Sequence, residues 1–265
     1  MRPTRLAIAL RSTLFNVAFY GNTIVLMLTH LHVFLRDRHA TLSLARLWGR
    51  TSLALLERIC GTRVEFRGLH HIRPGLVIAA KHQSFLETFA MTVPIEDFSY
   101  ILKRELIQIP MFGWLLRSAE QVGIDRRSGR TALAQVVDAA KRLRAEGRSI
   151  FIFPEGTRRP VDAPPLYKSG IGHIYADAQT PVLPVALNTG LFWPRRRFLR
   201  MPGHCVIEFL APIEPGLDRE DFMRVLQERL ETATARLVAE ARAESPWLAR
   251  READQTPAPS EQPGI

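Results

Sequence analysis

The sequence predicts an α/β fold: a single domain with a mixed, substantially parallel central sheet flanked by helices, plus an N-terminal hydrophobic membrane helix. Three observations predict it. Short apolar runs bounded by Gly, Pro or charge recur along the chain, as strands do. Segments of helical period lie between them, and strands interleaved with helices form a parallel or mixed sheet. Finally, the first forty residues hold an apolar run longer than a buried amphipathic helix usually shows. With 265 residues the chain buries a core without staples. Its 46% hydrophobic and 23% charged residues exclude global disorder. The expected divisions are a membrane-anchoring segment at 1–40, the α/β domain at 41–245 and an unstructured tail at 246–265.

The anchor begins with a short basic stretch, Met1-Arg2-Pro3-Thr4-Arg5, and continues apolar from Leu6 to Leu35 with Arg11 as its one formal charge. From Ser12 to Leu35 there are 24 residues without Asp, Glu, Lys or Arg. At about 1.5 Å per residue this reaches across a hydrocarbon core of about 30 Å. Asn16, Gly21, Asn22, His30 and His32 dilute the run, so a full crossing and a helix lying in the membrane plane both stand. No small-x-small cleavage site follows, which favours anchoring over a removed signal peptide. Arg36, Arg38, Arg46 and Arg50 extend the basic flank. Such a flank suits anionic lipid, so the expected location is the inner membrane with the working face toward the cytoplasm.

A helical stretch from Leu42 to Ile59 comes next. Strands are expected at Arg63–Phe66, Leu76–Ala80, Tyr100–Leu102, Val122–Ile124, Ser149–Phe153, Val182–Leu187 and Cys205–Leu210. Helices are expected at Phe85–Thr92, Leu106–Ser118, Thr131–Glu146, Ser169–Ala178 and Asp218–Glu244. The third is clearest, because Leu133, Val136, Val137, Ala140 and Leu143 share one face and Gly147 stands where a C-terminal cap belongs. Residues 254–265 carry three Pro among Gln, Ser and Thr and read as disordered.

Lys and Arg number 36 against 26 Asp and Glu, giving a net charge of +10. That favours an anionic partner: nucleic acid, a phospholipid surface, or a phosphorylated or carrier-bound substrate. Only Cys60 and Cys205 are present, which excludes a disulfide framework and a four-cysteine zinc site. His70-His71 has no acidic or cysteine companion at ligand spacing, so no metal is expected, and His173 reads as a packing or surface histidine. No nucleic-acid module is recognisable. Trp193-Pro194-Arg195-Arg196-Arg197-Phe198-Leu199-Arg200 reads equally as a lipid-headgroup contact and as a solvated loop.

Two segments carry chemistry. Lys81-His82-Gln83-Ser84-Phe85-Leu86-Glu87 follows the strand Val77-Ile78-Ala79-Ala80, and strand ends are where ligands collect in α/β folds. A histidine within reach of a carboxylate is the minimum for a general base. Residues five apart on a regular helix lie about 140° apart around the axis. His82 and Glu87 therefore meet only if His82 sits in the turn and Glu87 in the first turn of the helix. Ser84-Phe85-Leu86-Glu87 has the form of a capping box that starts such a helix. It equally allows Glu87 to be a plain cap and His82 a loop residue. The second segment, Ile152-Phe153-Pro154-Glu155-Gly156-Thr157-Arg158-Arg159, also ends an apolar strand. Exposed N–H groups, a hydroxyl and guanidinium forks there suit a phosphate monoester, though a turn with solvated charges has the same composition.

His-x4-acid followed by Phe-Pro-Glu-Gly-Thr-Arg resembles the glycerolipid acyltransferase family that includes 1-acylglycerol-3-phosphate acyltransferases. Three further segments fit in order: Lys103-Arg104-Glu105-Leu106 with Pro110, Gly113-Trp114 and Val122-Gly123-Ile124-Asp125-Arg126; Tyr167-Lys168-Ser169-Gly170; and Val182 to Asn188. The resemblance covers Gly61 to Pro212, and ordered motifs together are far more specific than one alone. It implies that His82 is the base that deprotonates an acceptor hydroxyl and that Glu87 positions it. Glu155, Gly156, Thr157, Arg158 and Lys168, with Arg126 as a helper, are implied to hold the glycerol phosphate. The acceptor implied is lysophosphatidate, at its sn-2 hydroxyl. The donor is an acyl thioester on coenzyme A or acyl carrier protein, with no bound cofactor. A thioester is already activated, and the chain has no G-x-S-x-G elbow for an acyl-enzyme.

The sequence departs from the family pattern twice. Glu87 stands where Asp is usual, and Lys81 where Asn often precedes the histidine. A lysine close to the base would disfavour its protonated form. The Glu87 change keeps another acceptor open, such as a lyso-ornithine lipid or other lysophospholipid. A non-catalytic lipid-binding protein on the same fold is the remaining alternative.

Overall fold

The computed structural model describes residues 4–109, 112–125 and 130–248. In chain order the elements are α1 (Arg5–Thr29), α2 (Arg38–Leu55), β1 (Thr62–Arg67), β2 (Val77–Ala80), α3 (Leu86–Ala90), β3 (Phe98–Lys103), α4 (Phe112–Ser118), β4 (Val122–Ile124), α5 (Arg130–Ala145), β5 (Ser149–Ile152), α6 (Gly170–Ala178), β6 (Val182–Leu187), α7 (Thr189–Phe192), β7 (Gly203–Phe209) and α8 (Arg219–Glu244). The seven strands form one sheet in the order β1-β7-β6-β2-β5-β3-β4. Every neighbouring pair is parallel except β6 with β7. The expected α/β architecture with a mixed, mostly parallel sheet is the one observed.

β2 explains the centre of the sheet. All four of its residues are buried, as a strand covered on both faces requires. Ile78 and Ala80 face a core that also holds Phe151, Leu183, Val185, Ile207 and Phe209. Val77 and Ala79 face the other core, made by α5, α6 and α8 through Val136, Leu143, Ile174, Phe222 and Leu226. The period of two thus separates two helical layers.

The N-terminal run does not form the single helix from Ser12 to Leu35 that its composition suggested. α1 stops at Thr29, and Leu31–Leu35 winds into a 3-10 turn. The Thr29 hydroxyl bonds the Val25 carbonyl at 2.7 Å, and the His30 ring bonds that of Leu26 at 3.1 Å. Side chains thus satisfy carbonyls of the last turn and let the chain leave it. α1 also has two unlike faces. Ile8, Ser12, Phe15 and Phe19 are buried, whereas Leu6, Leu10, Leu14, Val17, Ile24 and Leu28 on the opposite side are exposed. Phe15 and Phe19 join the first core beside Phe89 and Trp193. Asn22 bonds Thr51 at 2.9 Å, and Trp48 bonds Thr23 at 2.9 Å. The expected division at residue 40 therefore runs through a shared core.

Other expectations shift for local reasons. α2 starts four residues earlier than expected because Asp37 accepts the Ala40 N–H at 3.1 Å as an N-cap. The stretch expected as one helix from Leu106 to Ser118 divides into a 3-10 turn, Arg104–Gln108, and α4. Proline at 110 lacks the amide N–H that a continuous helix needs. Pro246–Leu248 forms a 3-10 turn with Leu248 buried, so the tail expected from 246 does not include these three residues. Residues 249–265 lie outside those described.

Candidate active site

β2 lies between β5 and β6, parallel to both. Their carboxyl ends therefore open on one edge of the sheet, the place where α/β folds bind ligands. Three segments leave that edge together: Lys81–Glu87 after β2, Phe153–Arg159 after β5, and Asn188–Phe192 after β6.

His82 lies in the turn before α3 and Glu87 in its first turn, which solves the angular problem of the five-residue spacing. The imidazole Nδ1 is 3.0 Å from Glu87 Oε1. Glu87 is fully buried, and Oε1 also accepts the N–H groups of Gln83 at 2.8 Å and Ser84 at 2.7 Å. The cap and the histidine partner are thus the same carboxylate. Ser84 Oγ accepts the Leu86 N–H at 3.0 Å, so the reciprocal half of a capping box is shifted by one residue. Glu87 Oε2 accepts the Thr189 hydroxyl at 2.7 Å. With Glu87 on its Nδ1, His82 carries the proton there and presents Nε2 as the basic nitrogen. Among the described residues Nε2 has no hydrogen-bond partner.

Aromatic rings fix the imidazole plane. Phe153 stacks on His82 with centroids 4.0 Å apart, Tyr100 lies against Phe153, and Phe151 against Tyr100. The Tyr100 hydroxyl donates to the Thr88 carbonyl at 2.7 Å. Burial, with the nearby charge of Glu87, holds the Tyr100 phenol well above its ordinary pKa, so it stays neutral.

Glu155 occupies a different position from the phosphate-lining one that the resemblance implied. It is 1% exposed and faces inward. Oε2 accepts the His82 backbone N–H at 2.6 Å, and Oε1 meets the Lys81 ammonium at 2.7 Å. Lys81 also reaches Glu231 on α8 at 2.8 Å, and the Tyr167 hydroxyl donates to that same oxygen at 2.6 Å. Desolvation pushes Glu155 above the usual carboxylate range, against the pull of Lys81 and of the His82 N–H. Lys81, read from sequence as a cation acting on the base, spends its charge on two carboxylates.

The remaining implied residues stand on the solvent side of the same edge. Gly156 is exposed at φ +72°, where a side chain would be strained. Thr157 and Lys168 are exposed and Arg158 is half-buried. The Lys168 N–H bonds the Pro154 carbonyl at 2.8 Å, which brings its stem beside Gly156. The Arg159 N–H donates to the His82 carbonyl at 2.8 Å, joining the two motif loops. Arg126 lies outside the described residues. Among the described residues no three His, Cys, Asp or Glu side chains converge as a metal site. Both cysteines are free and buried.

Sequence reasoning missed Thr189, Gln83, Phe153, Tyr167 and Glu231. Thr189 had a usable signal, since it stands just past the carboxyl end of a predicted strand, as His82 does. Tyr167 stood in a segment that the resemblance covers, and Glu231 had no signal.

The family model described as Acyltransferase matches residues 63–188, a span that contains the first two segments of the edge and ends at Asn188, where the third begins. A Pseudomonas aeruginosa 1-acyl-sn-glycerol-3-phosphate acyltransferase is 38% identical over 157 residues, 59% of this chain and 61% of that protein. A Mus musculus 1-acyl-sn-glycerol-3-phosphate acyltransferase alpha is 30% identical over 61% of this chain and 59% of its own length. The match thus spans about three fifths of these curated relatives. The crystal structure of the 1-acyl-sn-glycerophosphate (LPA) acyltransferase PlsC from Thermotoga maritima has a similar fold. That match has a TM-score of 0.71 at 25% identity and covers 86% of this chain and 96% of that one.

Proposed function

We propose that this chain is a 1-acylglycerol-3-phosphate O-acyltransferase that forms phosphatidate from lysophosphatidate and an acyl thioester. The observation that carries the reading is the buried Glu87 carboxylate on His82 Nδ1 at 3.0 Å, which leaves Nε2 as a base at a strand edge. In this reading Nε2 takes the proton of the sn-2 hydroxyl as its oxygen attacks the thioester carbonyl. The tetrahedral intermediate collapses, the C–S bond breaks, and the imidazolium returns the proton to the departing thiolate, so no metal, redox group or acyl-enzyme is required. The donor thiol is that of coenzyme A or acyl carrier protein. Gly156, Thr157, Arg158 and Lys168 are assigned to the phosphate, because they put an exposed turn, a hydroxyl and two cations beside His82. Arg126 is assigned as their helper on the resemblance alone.

The same reading places the protein on the inner membrane with its site at the cytoplasmic face. α1 is the one described helix long and apolar enough to cross a bilayer. Its length is docked on the domain from Ile8 to Thr23, so the outward face of Leu6, Leu10, Leu14, Val17, Ile24 and Leu28 is the part offered to lipid. A helix held this way lies in the interface rather than crossing it.

The test is acyl transfer to lysophosphatidate by detergent-purified protein with each thioester donor, beside His82→Ala matched for thermal stability. Turnover by the wild type that disappears in the variant is the expected result. Folded wild type that is inactive with both donors overturns the phosphatidate assignment, and other lysolipid acceptors are then compared.

A further inference from the structure

The dyad is held from outside its own motif. α7 follows β6 directly and lies against the turn that carries His82. It makes two hydrogen bonds to that turn, both across more than a hundred residues of sequence. The Thr189 hydroxyl donates to Glu87 Oε2 at 2.7 Å, and the Gly190 N–H donates to the Gln83 side-chain oxygen at 3.1 Å. Thr189 is fully buried and Gln83 nearly so. The approach is close enough to need glycine at 190. A Cβ there would stand 2.7 Å from Val161 Cγ2 and 3.0 Å from Gln83 Cβ.

The donors on Glu87 are distributed unevenly. Oε1 accepts from His82, Gln83 and Ser84, whereas Oε2 accepts from Thr189. A buried carboxylate oxygen left without a donor carries the full cost of its lost hydration. Without Thr189 the carboxylate keeps its charge beside Nδ1 but loses the bond that fixes its plane. We propose that α7 positions the dyad and that Thr189 is the residue that keeps Glu87 in register with His82. Thr189 is a positioning residue: it touches Glu87, not substrate. The proposal rests on the acyl-transfer reading only for its kinetic arm.

Removing the Thr189 hydroxyl makes Glu87 a stronger proton acceptor, which stabilises the His82 imidazolium and moves its titration to higher pH. The charged groups acting on Glu87 include His82 itself. Tyr100 and Cys205 also feel its charge, and burial keeps both neutral by raising their pKa values well above the ordinary range. The experiment compares Thr189→Val, which keeps the shape, with Thr189→Ser, which keeps the donor. Two quantities are read: kcat and KM for lysophosphatidate, and the pH titration of the His82 ring by NMR, assigned by its absence in His82→Ala. Thr189→Val is expected to lower kcat about tenfold, the loss of one hydrogen bond to a charged group, with KM unchanged. Its His82 titration moves upward, and Thr189→Ser restores both readouts. Unchanged kcat and titration in Thr189→Val overturn the proposal. So does a Thr189→Ser variant as impaired as Thr189→Val, which would mark a packing role. An inactive wild type sinks the acyl-transfer reading and leaves the titration arm to decide this proposal.

Discussion

Two halves of one sheet edge are built on opposite principles. Around His82 nearly every polar group has a partner inside the protein. Glu87 accepts four hydrogen bonds, Glu155 holds the His82 backbone, and Lys81 is spanned by two carboxylates. A few residues away, Gly156, Thr157 and Lys168 face solvent. The first half is fixed before any ligand arrives, as proton transfer demands, because its geometry sets the rate. The second is open, as suits a headgroup that brings its own charge and can exchange water for cations on arrival. In the proposed reading, burial separates the group that performs chemistry from the groups that recognise.

The comparison breaks most visibly at the base. His82→Ala is expected to lower kcat/KM about 10³-fold; a tenfold loss or less would place the base elsewhere. Next comes the buried ion pair. Lys81→Met leaves Glu155 and Glu231 facing each other without their cation, and is expected to cost about 3 kcal/mol in urea unfolding. A variant as stable as the wild type would show that the network relaxes freely. On the open half, Arg158→Ala and Lys168→Ala are each expected to raise KM for lysophosphatidate about tenfold, one charge-assisted contact, at nearly constant kcat. A fall in kcat with KM constant would move these residues to the rigid half.

The smallest effect lies away from the edge. Arg67 holds Glu65 and Glu240, each at 2.9 Å, and its hydrogen bonds keep both carboxyls below their usual range. Their folded pKa values are depressed, so this stabilisation is present above the unfolded carboxylate value of about 4.3 and disappears as pH falls through the folded values. These side chains are partly exposed, so the effect is small. Arg67→Met is expected to show a slightly shallower loss of stability between neutral and acidic pH than the wild type. Equal slopes would remove Arg67 from the acid response.

The same contrast explains what could be read in advance. The pairing of His82 with Glu87 was legible in part: the local capping pattern allowed it and allowed a plain cap as well, and the resemblance implied the pair. The direction of Glu155 was not: its motif says that a turn follows β5, and only the neighbouring Lys81 and His82 N–H show the carboxylate turning inward. α1 was legible as apolar. That Phe15 and Phe19 pack into the domain while Leu10 and Leu14 stay outside depends on which surface the helix meets.

By itself the sequence determined most of the elements and the parallel α/β plan, since these rest on periodicity, and it brought a histidine and a carboxylate within a few residues of each other. The tertiary structure alone decided that Thr189, Glu231 and Tyr167 complete that pair's surroundings. They reach it because β6 lies beside β2 and α8 packs across the sheet. Strand order is set by how two apolar faces are covered at once, and no local pattern encodes it.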